Sequence, residues 1–396
     1  MPVVLWPADA GQARKLAFQP QSRLNSKPQL PRPYEPHCAP HENFLSLMKT
    51  QTKSWYYGTF NKSHPRPWAA ALQGKIIGQL FAHALSVRAP KNFFCGAVSD
   101  LPLAWPREWG DFFVVKPLSG YNDAGILLIT NARSKGYDRL TGRRVRGRTD
   151  VAMHYTSNRS KLSSRQARTV LVEELIVRRR SDNAWLAADI KFFMFGGTIG
   201  AVYIIVNRST PSKCSWWLAP DGQTRLDLNG CEVRNHPGSG RQGSKIYPAT
   251  RRPPWDGTPR PCSQPPPAFA PHVWDKLRNA ASVLGAAAGV PYRVDLFLGE
   301  GDEPVFGEMT STHSAALSHC AIPTMPNGTV DTCYMGRLWH SSQANPSLSG
   351  RPVALRPPPF LSSSRLVSSL TKSVEWSAQQ CKLARLTRDT HTHFLS

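Results

Sequence analysis

The stretch Pro291–Thr310 reads PYRVDLFLGEGDEPVFGEMT and is the most informative part of this 396-residue chain. Two strand-like runs flank the acidic, glycine-containing segment GEGDE, which predicts a β-hairpin. By period-2 alternation Arg293 and Asp295 share a face of the first strand, and Glu308 and Thr310 share a face of the second. An opposed Asp and Glu repel unless a positive charge lies between them, and a hard cation such as Mg²⁺ suits oxygen ligands. The alternative is a surface hairpin with ordinary exposed charges.

A second segment, residues 111–130, reads DFFVVKPLSGYNDAGILLIT. It predicts an apolar strand that delivers Lys116, a glycine-containing turn, and a second apolar strand. A lysine at the end of a buried strand, beside Ser119, Gly120 and Gly125, can reach a phosphate that backbone N–H groups approach closely. The alternative is a lysine at a solvated strand end, and the loop has no GxxxxGK pattern to decide between the two.

A third segment, residues 169–176, reads TVLVEELI. A strand that ends in Glu173 and Glu174 and continues into Leu175 suits an adenine site, because a hinge backbone can pair with the base while a carboxylate meets its amino group or the ribose. The alternative is an acidic pair on an edge strand that faces water. The strand-like run DIKFFMF, which follows, carries Lys191.

Taken in order, the blocks FVVKP, VLVEEL, DIKFFMF and RVDLF…VFGEMT resemble the ATP-grasp superfamily, and specifically its TupA-like branch of teichuronopeptide biosynthesis. The resemblance covers about residues 59–339. It implies an α+β ATP-grasp fold, in which two α+β lobes clamp ATP. It also implies that Lys116 binds ATP phosphates, and that Asp295 and Glu308 hold Mg²⁺. Glu173, Glu174 and Leu175 would line the adenine pocket.

The same resemblance assigns the remaining site residues. Arg293 matches a family arginine near the transferred phosphoryl group, and Lys191 joins it as the second expected catalytic residue. Thr310 stands where many ATP-grasp enzymes have a metal-binding Asn. Lys75 matches the lysine of the family's early Asp-Lys pair, with Gly74 in place of the Asp. The phosphate loop, PLSGYNDAG here, contributes Ser119 and Gly120 and retains only part of the family's glycine-rich pattern.

The periodic pattern predicts the main elements of the chain. A helix is expected over about residues 68–87 and another over 271–288, with Pro271 at its start and Gly289 at its end. The apolar residues of the second helix recur at 3–4 spacing, so it is expected to pack on the sheet that carries Asp295 and Glu308. Strands are expected over 112–116, 125–130, 170–174, 190–195 and 199–206.

Composition sets the expected domain boundaries. A chain of this length with 40% hydrophobic residues can bury one or two sizeable cores. Residues 1–50 and 341–396 are rich in polar residues and proline or arginine, so they are predicted to be disordered, apart from a weak amphipathic helix pattern near 373–386. The ATP-grasp domain is expected over 51–340, with a lid at about 88–172, a core at 51–87 and 173–340, and a Pro/Gly-rich insertion at 231–270.

The net charge of +23 is concentrated in one part of the expected domain. The stretch RLTGRRVRGR, Arg139–Arg148, lacks apolar spacing and is predicted to be a loop. A basic loop beside a nucleotide-binding lobe can receive a polyanionic substrate such as an acidic glycan or a peptide carboxylate, or bind nucleic acid nonspecifically. A solvated charged insertion is the alternative. Specific nucleic-acid recognition is not expected, because RNP-type aromatic interleaving is absent.

Eight cysteines occur with no CxxC pair and no metal-type spacing. This argues against zinc and redox centres and is compatible with reduced thiols. No signal-like segment is apparent near the first residue, and the longest apolar run, Ile199–Val206, is too short to span a bilayer. A cytoplasmic location and no membrane span are therefore expected.

Together these features predict an ATP- and Mg²⁺-dependent carboxylate–amine ligase that acts through an acyl phosphate. The implied setting is glycan or polysaccharide/peptide conjugate biosynthesis. The expected partners are ATP and an acidic or carboxylate small molecule or glycan. The alternative is a catalytically weak protein that binds ATP or a polyanion and has a degenerate phosphate loop.

Overall fold

The computed structural model describes residues 47, 71–119, 125–157, 168–180, 183–206, 214–223, 225–226, 260–261, 268–310, 338–340 and 380–383. The chain divides into the units Met1–Glu35 and Pro36–Ser396, and all of these residues belong to the second. The helices are α1 (Lys75–Ala84), α2 (Arg148–Ser157) and α3 (Pro271–Ala288). The strands are β1 (Asn92–Ala97), β2 (Phe113–Pro117), β3 (Leu127–Thr130), β4 (Tyr137–Asp138), β5 (Thr169–Glu174), β6 (Val177–Arg180), β7 (Asn183–Leu186), β8 (Asp189–Phe195), β9 (Thr198–Val206), β10 (Cys214–Leu218), β11 (Arg225–Leu226), β12 (Arg260–Pro261), β13 (Tyr292–Leu298) and β14 (Pro304–Thr310).

The first sheet has the antiparallel order β1-β5-β2-β3-β4. Side chains alternate across it, so one face is fully apolar and packs on helix α2 and two tryptophans. That core contains Phe113, Val115, Leu127, Ile129, Val170, Val172, Trp105, Trp109, Val151 and Tyr155. The opposite face carries Lys116 and Glu173, because each lies one residue out of step with the apolar set. The short strands of the sheet therefore separate a packed face from a chemical face.

The second sheet has the order β11-β10-β9-β8-β13-β14, with β12 parallel to β10 at one side. One face packs on α1 and α3 through Ile190, Phe192 and Met194 of β8 and Tyr292, Val294 and Leu296 of β13. The alternate residues of the same two strands point to the other face, and they include Lys191, Arg293 and Asp295. A further hairpin, β6-β7, forms a separate two-stranded sheet.

Helix α3 has the predicted bounds and the predicted packing. Pro271 occupies its first turn, where a missing N–H is harmless, and Gly289 ends it in the left-handed conformation with φ of 64°. The Gly289 N–H donates to the Gly285 carbonyl at 3.0 Å. The face that contacts the second sheet is formed by Val273, Leu277, Ala280, Ala281 and Leu284. The apolar spacing in the sequence was sufficient to predict this element, because it is long and strongly one-sided.

The predicted helix over 68–87 is shorter in the structure. Residues 71–73 form a 3₁₀ turn, and α1 begins only at Lys75. The helix ends at Ala84, since Ser86 adopts a positive φ of 59°. Residues 68–70 lie outside the described residues, as does most of the predicted insertion over 231–270. Within that insertion Arg260–Pro261 forms β12 beside β10.

Residues 380–383 fall within the amphipathic helix pattern predicted near 373–386, and the expectation of reduced thiols is wrong for one pair of cysteines. These four residues form a helical turn, in which Gln380 and Cys381 are buried. Cys381 forms a disulfide with Cys95 of β1, so these two cysteines are not reduced thiols. The rest of the C-terminal segment lies outside the described residues. Among the described helices, none has both the length and the apolar character needed to cross a membrane.

Candidate functional site

The β13–β14 hairpin brings its predicted polar residues onto one face. Asp295 lies directly opposite Glu308, and Arg293 lies opposite Thr310. The positive group between the two carboxylates is the Arg293 guanidinium. It donates to Asp295 through Nε at 2.6 Å and Nη2 at 2.7 Å, and Nη2 also lies 3.1 Å from Glu308 Oε1 and from Thr310 Oγ1. The Thr310 hydroxyl donates to the same Glu308 oxygen at 3.2 Å.

Strand β8 adds a second cation to this face. Lys191 is the cross-strand partner of Asp295, and its ammonium donates to the Asp295 carboxylate. The same Nζ lies 2.9 Å from Asp189 Oδ1 and 2.8 Å from Asp189 Oδ2. Asp189 is 1% exposed and was missed in the sequence. The signal was present in the letters DIK, because alternation places an acid on the same face as a lysine two residues later.

The electrostatics of this cluster, which is buried apart from the partly exposed Glu308, are closely balanced. Three carboxylates, Asp189, Asp295 and Glu308, face the two cations Lys191 and Arg293. Burial raises the pKa of Asp295, and the neighbouring Arg293 and Lys191 oppose that rise only in part. Burial lowers the pKa of Arg293, but Asp295 and Glu308 raise it by more, so the guanidinium stays charged. The cluster carries an excess of one negative charge when all five groups are ionised.

The first sheet presents Lys116 and Glu173 on its chemical face. These two form an ion pair, and Gln79 of α1 donates from Nε2 to the other Glu173 oxygen at 2.7 Å. The Asn92 amide in turn donates to Gln79 Oε1 at 2.8 Å. Strand β5 lies between β1 and β2, so Glu173 is not on an edge strand, and it is buried. Gln79 was missed in the sequence, since a glutamine inside an apolar helix gives no signal before its partner is known.

Lys75 links the two sheets. Its ammonium donates to the Leu118 carbonyl at 3.1 Å, one residue after β2, the strand that carries Lys116. Burial, and then the charge of Lys116, lower the pKa of Lys75 to about 8, while Glu308 and Glu173 act in the opposite direction. Lys75 therefore experiences charges from the first sheet and from the β13–β14 hairpin at the same time.

The two glutamates at the end of β5 point in opposite directions. Glu173 faces Lys116, whereas Glu174 forms an ion pair with exposed Arg88 at 2.6 Å and accepts from the Lys91 N–H at 3.2 Å. Leu175 is buried against Val114 and Leu128 of the first sheet. The end of β5 thus directs Glu173 toward Lys116 and Glu174 toward Arg88, and Leu175 adds a buried apolar side chain next to them in sequence.

Of the two residues predicted for the phosphate loop, the structure describes only Ser119. Ser119 lies two residues after the end of β2, next to Leu118, and is half-buried. Gly120 lies outside the described residues. The structure therefore places Lys75, Lys116, Ser119 and Glu173 near the end of β2, and it places Lys191, Arg293, Asp295, Glu308 and Thr310 on the hairpin side.

The side chains of the hairpin fit a hard divalent cation. Asp295, Glu308 and Thr310 offer only oxygen atoms, which Mg²⁺ prefers, and the cluster has negative charge in excess. Among the described residues no group of three His, Cys, Asp or Glu side chains is placed to hold a metal. A cation on Asp295 and Glu308 must therefore share these oxygens with Arg293 and complete its shell with water or substrate oxygens.

The predicted basic loop is an ordered turn, here named the basic hairpin (residues 131–148). Buried Asp138 fixes it, because its carboxylate accepts from Leu128 N at 3.0 Å, Leu140 N at 3.2 Å and Thr141 Oγ1 at 2.6 Å. Seven Lys or Arg residues occur in this hairpin, and Asp138 is its one acid. Arg139, Arg143 and Arg144 are exposed, whereas Arg146 pairs with Asp150 and Arg148 donates to the Ser99 carbonyl.

Comparisons with known proteins give similarity at the level of structure only. No family model matches the sequence, and no curated protein sequence matches it. Similar solved structures include the VanG D-Ala:D-Ser ligase of Enterococcus faecalis, with 12% identity, 69% of this chain and 63% of that chain covered, and a TM-score of 0.35. They also include the D-alanine–D-alanine ligase of Bacillus anthracis (11% identity, 71% of each chain, TM-score 0.39) and the ATP-grasp ligase PsnB (12%, 71% of this chain and 60% of that chain, TM-score 0.30). This chain thus spans less than two thirds of the VanG and PsnB chains. At such identities and TM-scores we base no functional statement on these similarities.

Proposed function

We propose that this protein is an ATP-grasp enzyme that joins a carboxylate to an amine at the expense of ATP. The observation that carries the proposal is the position of Lys75 between the two sheets. Its surroundings include Lys116 and Glu173 from one sheet and Glu308 from the other. The charge of Lys116 opposes the charged form of Lys75, Glu308 and Glu173 offset this only in part, and a polyphosphate next to both ammonium groups would favour their charged forms.

The nucleotide is proposed to lie between the first sheet and the β13–β14 hairpin. Lys75 and Lys116 bind its phosphates, together with Ser119 and with Gly120, which the sequence assigns to the phosphate loop and which lies outside the described residues. Glu173, Glu174 and Leu175 form the adenine and ribose side. Lys116 must exchange its ion pair with Glu173 for a phosphate contact, and the hydrogen bond from Gln79 keeps Glu173 satisfied when it does.

The chemistry has two steps with balanced atoms. A substrate carboxylate oxygen attacks the γ-phosphorus, the bond to the β-phosphate oxygen breaks, and ADP leaves. The amine then attacks the acyl carbon, phosphate leaves with the former carboxylate oxygen, and the proton that the amine nitrogen loses passes to the released phosphate or to water. Arg293 and Lys191 stabilise the charge that spreads over the transferred group, and their buried positions strengthen this effect.

Asp295, Glu308 and Thr310 are proposed to hold Mg²⁺. When bound, the metal would supply charge neutralisation at the phosphate oxygens. The remaining work belongs to the protein's own side chains. Asp189 orients Lys191 by accepting a hydrogen bond from its ammonium group. The ion pair between Arg293 and Asp295 orients the guanidinium plane on the hairpin face.

The proposed branch and substrate class rest on the four sequence blocks that resemble the ATP-grasp superfamily. We place the chain in the TupA-like branch, with a glycan or polysaccharide/peptide conjugate as the setting and an acidic acceptor as the substrate class. The basic hairpin supports the acidic acceptor. Strand β4 of this hairpin is two strands from β2, which corresponds to about 10 Å across the sheet from the strand of Lys116.

The decisive experiment is turnover with an isotopically labelled acid. Purified full-length protein is supplied with ATP, Mg²⁺, an amine panel and carboxylic acids carrying ¹⁸O in the carboxylate. The expected products are ADP and phosphate that contains one ¹⁸O atom from the acid. Formation of AMP and pyrophosphate would point to an acyl adenylate instead. Absence of ATP binding by calorimetry, with and without Mg²⁺, would refute the proposal as a whole.

The acidic acceptor is tested with the basic hairpin. The double variant Arg143→Ser/Arg144→Ser removes two exposed cations, and Lys276→Ser/Arg278→Ser removes two exposed cations from α3 as a charge-matched control. We expect the first pair to raise the KM for an acidic acceptor severalfold and to flatten its salt dependence, with ATP affinity unchanged. Equal KM in both double variants would remove the hairpin from the acceptor site.

A further inference from the structure

The turn at residues 380–383 caps a helix from a great distance along the chain. Gln380 is 2% exposed, and its Oε1 accepts from the Ile76 N–H at 3.2 Å across 304 residues of sequence. The first N–H groups of a helix have no partner within the helix. The N-cap residue of α1 is Gly74, which has no side chain that could accept a hydrogen bond from these N–H groups. Gln380 therefore supplies the hydrogen-bond acceptor that an N-cap side chain normally provides.

The same turn is fastened to the first sheet. Cys381 is joined to Cys95 of β1 by a disulfide across 286 residues. The two sulfur-bearing side chains pack in one cluster with Ile76, Leu118 and Leu171. Leu383 packs against this cluster as well as against the core of the second sheet. The position of Gln380 is thus fixed by a covalent bond on one side and by apolar contacts on the other.

These contacts converge on Lys75. Lys75 is the first residue of α1 and immediately precedes Ile76, the residue that Gln380 caps. Its ammonium donates to the carbonyl of Leu118, which packs in the cluster that holds Cys381. The backbone and the side-chain terminus of Lys75 are therefore both held by groups that the C-terminal turn supports.

We propose that Gln380, anchored by the Cys95–Cys381 disulfide, is a positioning residue that sets Lys75 for phosphate binding. The C-terminal turn is then part of the nucleotide site, although it touches no substrate itself. This inference rests on the proposed function. It predicts a selective effect, because the turn supports the phosphate side of the site and has no described contact with the hinge residues Glu173–Leu175.

The test compares three variants of the full-length protein. Gln380→Met keeps the volume of the side chain and removes the acceptor, whereas Gln380→Glu keeps an acceptor for the Ile76 N–H. Lys382→Met, an exposed neighbour on the same turn, is the control. We expect Gln380→Met to raise the Kd for ATP about fivefold to tenfold and to leave the Kd for adenosine within twofold. Gln380→Glu and Lys382→Met should bind both ligands within twofold of wild type.

The disulfide is tested by Cys95→Ser/Cys381→Ser, which should show the same selective loss as Gln380→Met. Equal losses for ATP and adenosine in Gln380→Met would indicate general unfolding and overturn the proposal. No loss for either ligand would overturn it as well.

Amide hydrogen exchange separates this proposal from the proposed function. In ligand-free protein, residues 75–78 should exchange faster in Gln380→Met than in wild type or Gln380→Glu. If wild type binds neither ATP nor adenosine, the proposed function fails. Hydrogen exchange in ligand-free protein then decides by itself whether Gln380 holds Lys75 in place. Unchanged exchange in Gln380→Met would refute that role.

Discussion

Asp295→Asn should strongly destabilise the folded protein, whether or not any ligand binds. Asp295 is 2% exposed, and it accepts from Arg293 through two nitrogens and from Lys191 through a third. The substitution keeps the shape of the side chain and creates no cavity. It leaves two buried cations with less compensation, and breaking a buried ion pair in this way costs about 3–5 kcal/mol.

The lower end of that range applies here, because each cation keeps one partner. Lys191 retains Asp189 at 2.8 Å, and Arg293 retains Glu308 at 3.1 Å. A loss of about 3 kcal/mol corresponds to a fall in Tm of about 6–12 °C for folded regions of about 150–250 residues. Thermal unfolding at pH 7.5, followed by circular dichroism, measures this shift directly.

The matched control is Asp275→Asn on α3. Asp275 also pairs with an arginine, Arg278, at 2.8 Å, but its side chain is 61% exposed. Exposed pairs contribute about 0–1 kcal/mol, so the control should shift Tm by about 4 °C or less. If Asp295→Asn shifted Tm no more than the control does, the Asp295 carboxyl would not hold the two cations as a charged group, and the electrostatic account of the cluster would be wrong.

Three further predictions concern the proposed nucleotide site. Lys116→Ala should weaken ATP binding by roughly 1.5–3 kcal/mol in calorimetry, because it removes a phosphate-facing cation, whereas exposed Lys276→Ala should leave it unchanged; equal affinities in the two variants would remove Lys116 from the site. Glu308→Gln should keep ATP binding but lower Mg²⁺-dependent turnover by about two orders of magnitude or more, and a wild-type rate would show that the metal lies elsewhere. ATP affinity should fall as pH rises from 7 to 9, since Lys75, with a pKa of about 8, loses the proton that a bound phosphate favours. Lys75→Arg stays charged over this range, so its calorimetric profile should be flatter, and parallel profiles would exclude Lys75 as the titrating group.

The sequence predicted the elements whose signal is local. The hairpin of residues 291–310 and helix α3 were both predicted because alternation and 3–4 spacing are written within one continuous stretch. The same rule predicted that Asp295 would face Glu308, since a hairpin fixes its own register. A positive charge between the two carboxylates was also expected from repulsion alone.

The identity of that charge required the tertiary structure. Period-2 alternation placed Arg293 on the same face as Asp295, but it gave no distance between the guanidinium and the two carboxylates. The structure shows that Arg293 reaches both. The second cation comes from β8, and strand order between β8 and β13 depends on packing against α3, which no short stretch of sequence records.

The C-terminal turn shows the limit most clearly. Composition predicts disorder over residues 341–396, apart from a weak amphipathic helix pattern near 373–386, and neither feature identifies a partner for Gln380 or Cys381. Burial of Gln380 and the Cys95–Cys381 bond depend on an apolar cluster assembled from α1, β1, β5 and the end of β2. By itself the sequence determined which residues form strands and helices and which of their faces are polar, because these periodicities arise within each element. Only the tertiary structure decided which polar faces meet, because those contacts join residues up to 304 positions apart and depend on how the sheets and helices pack.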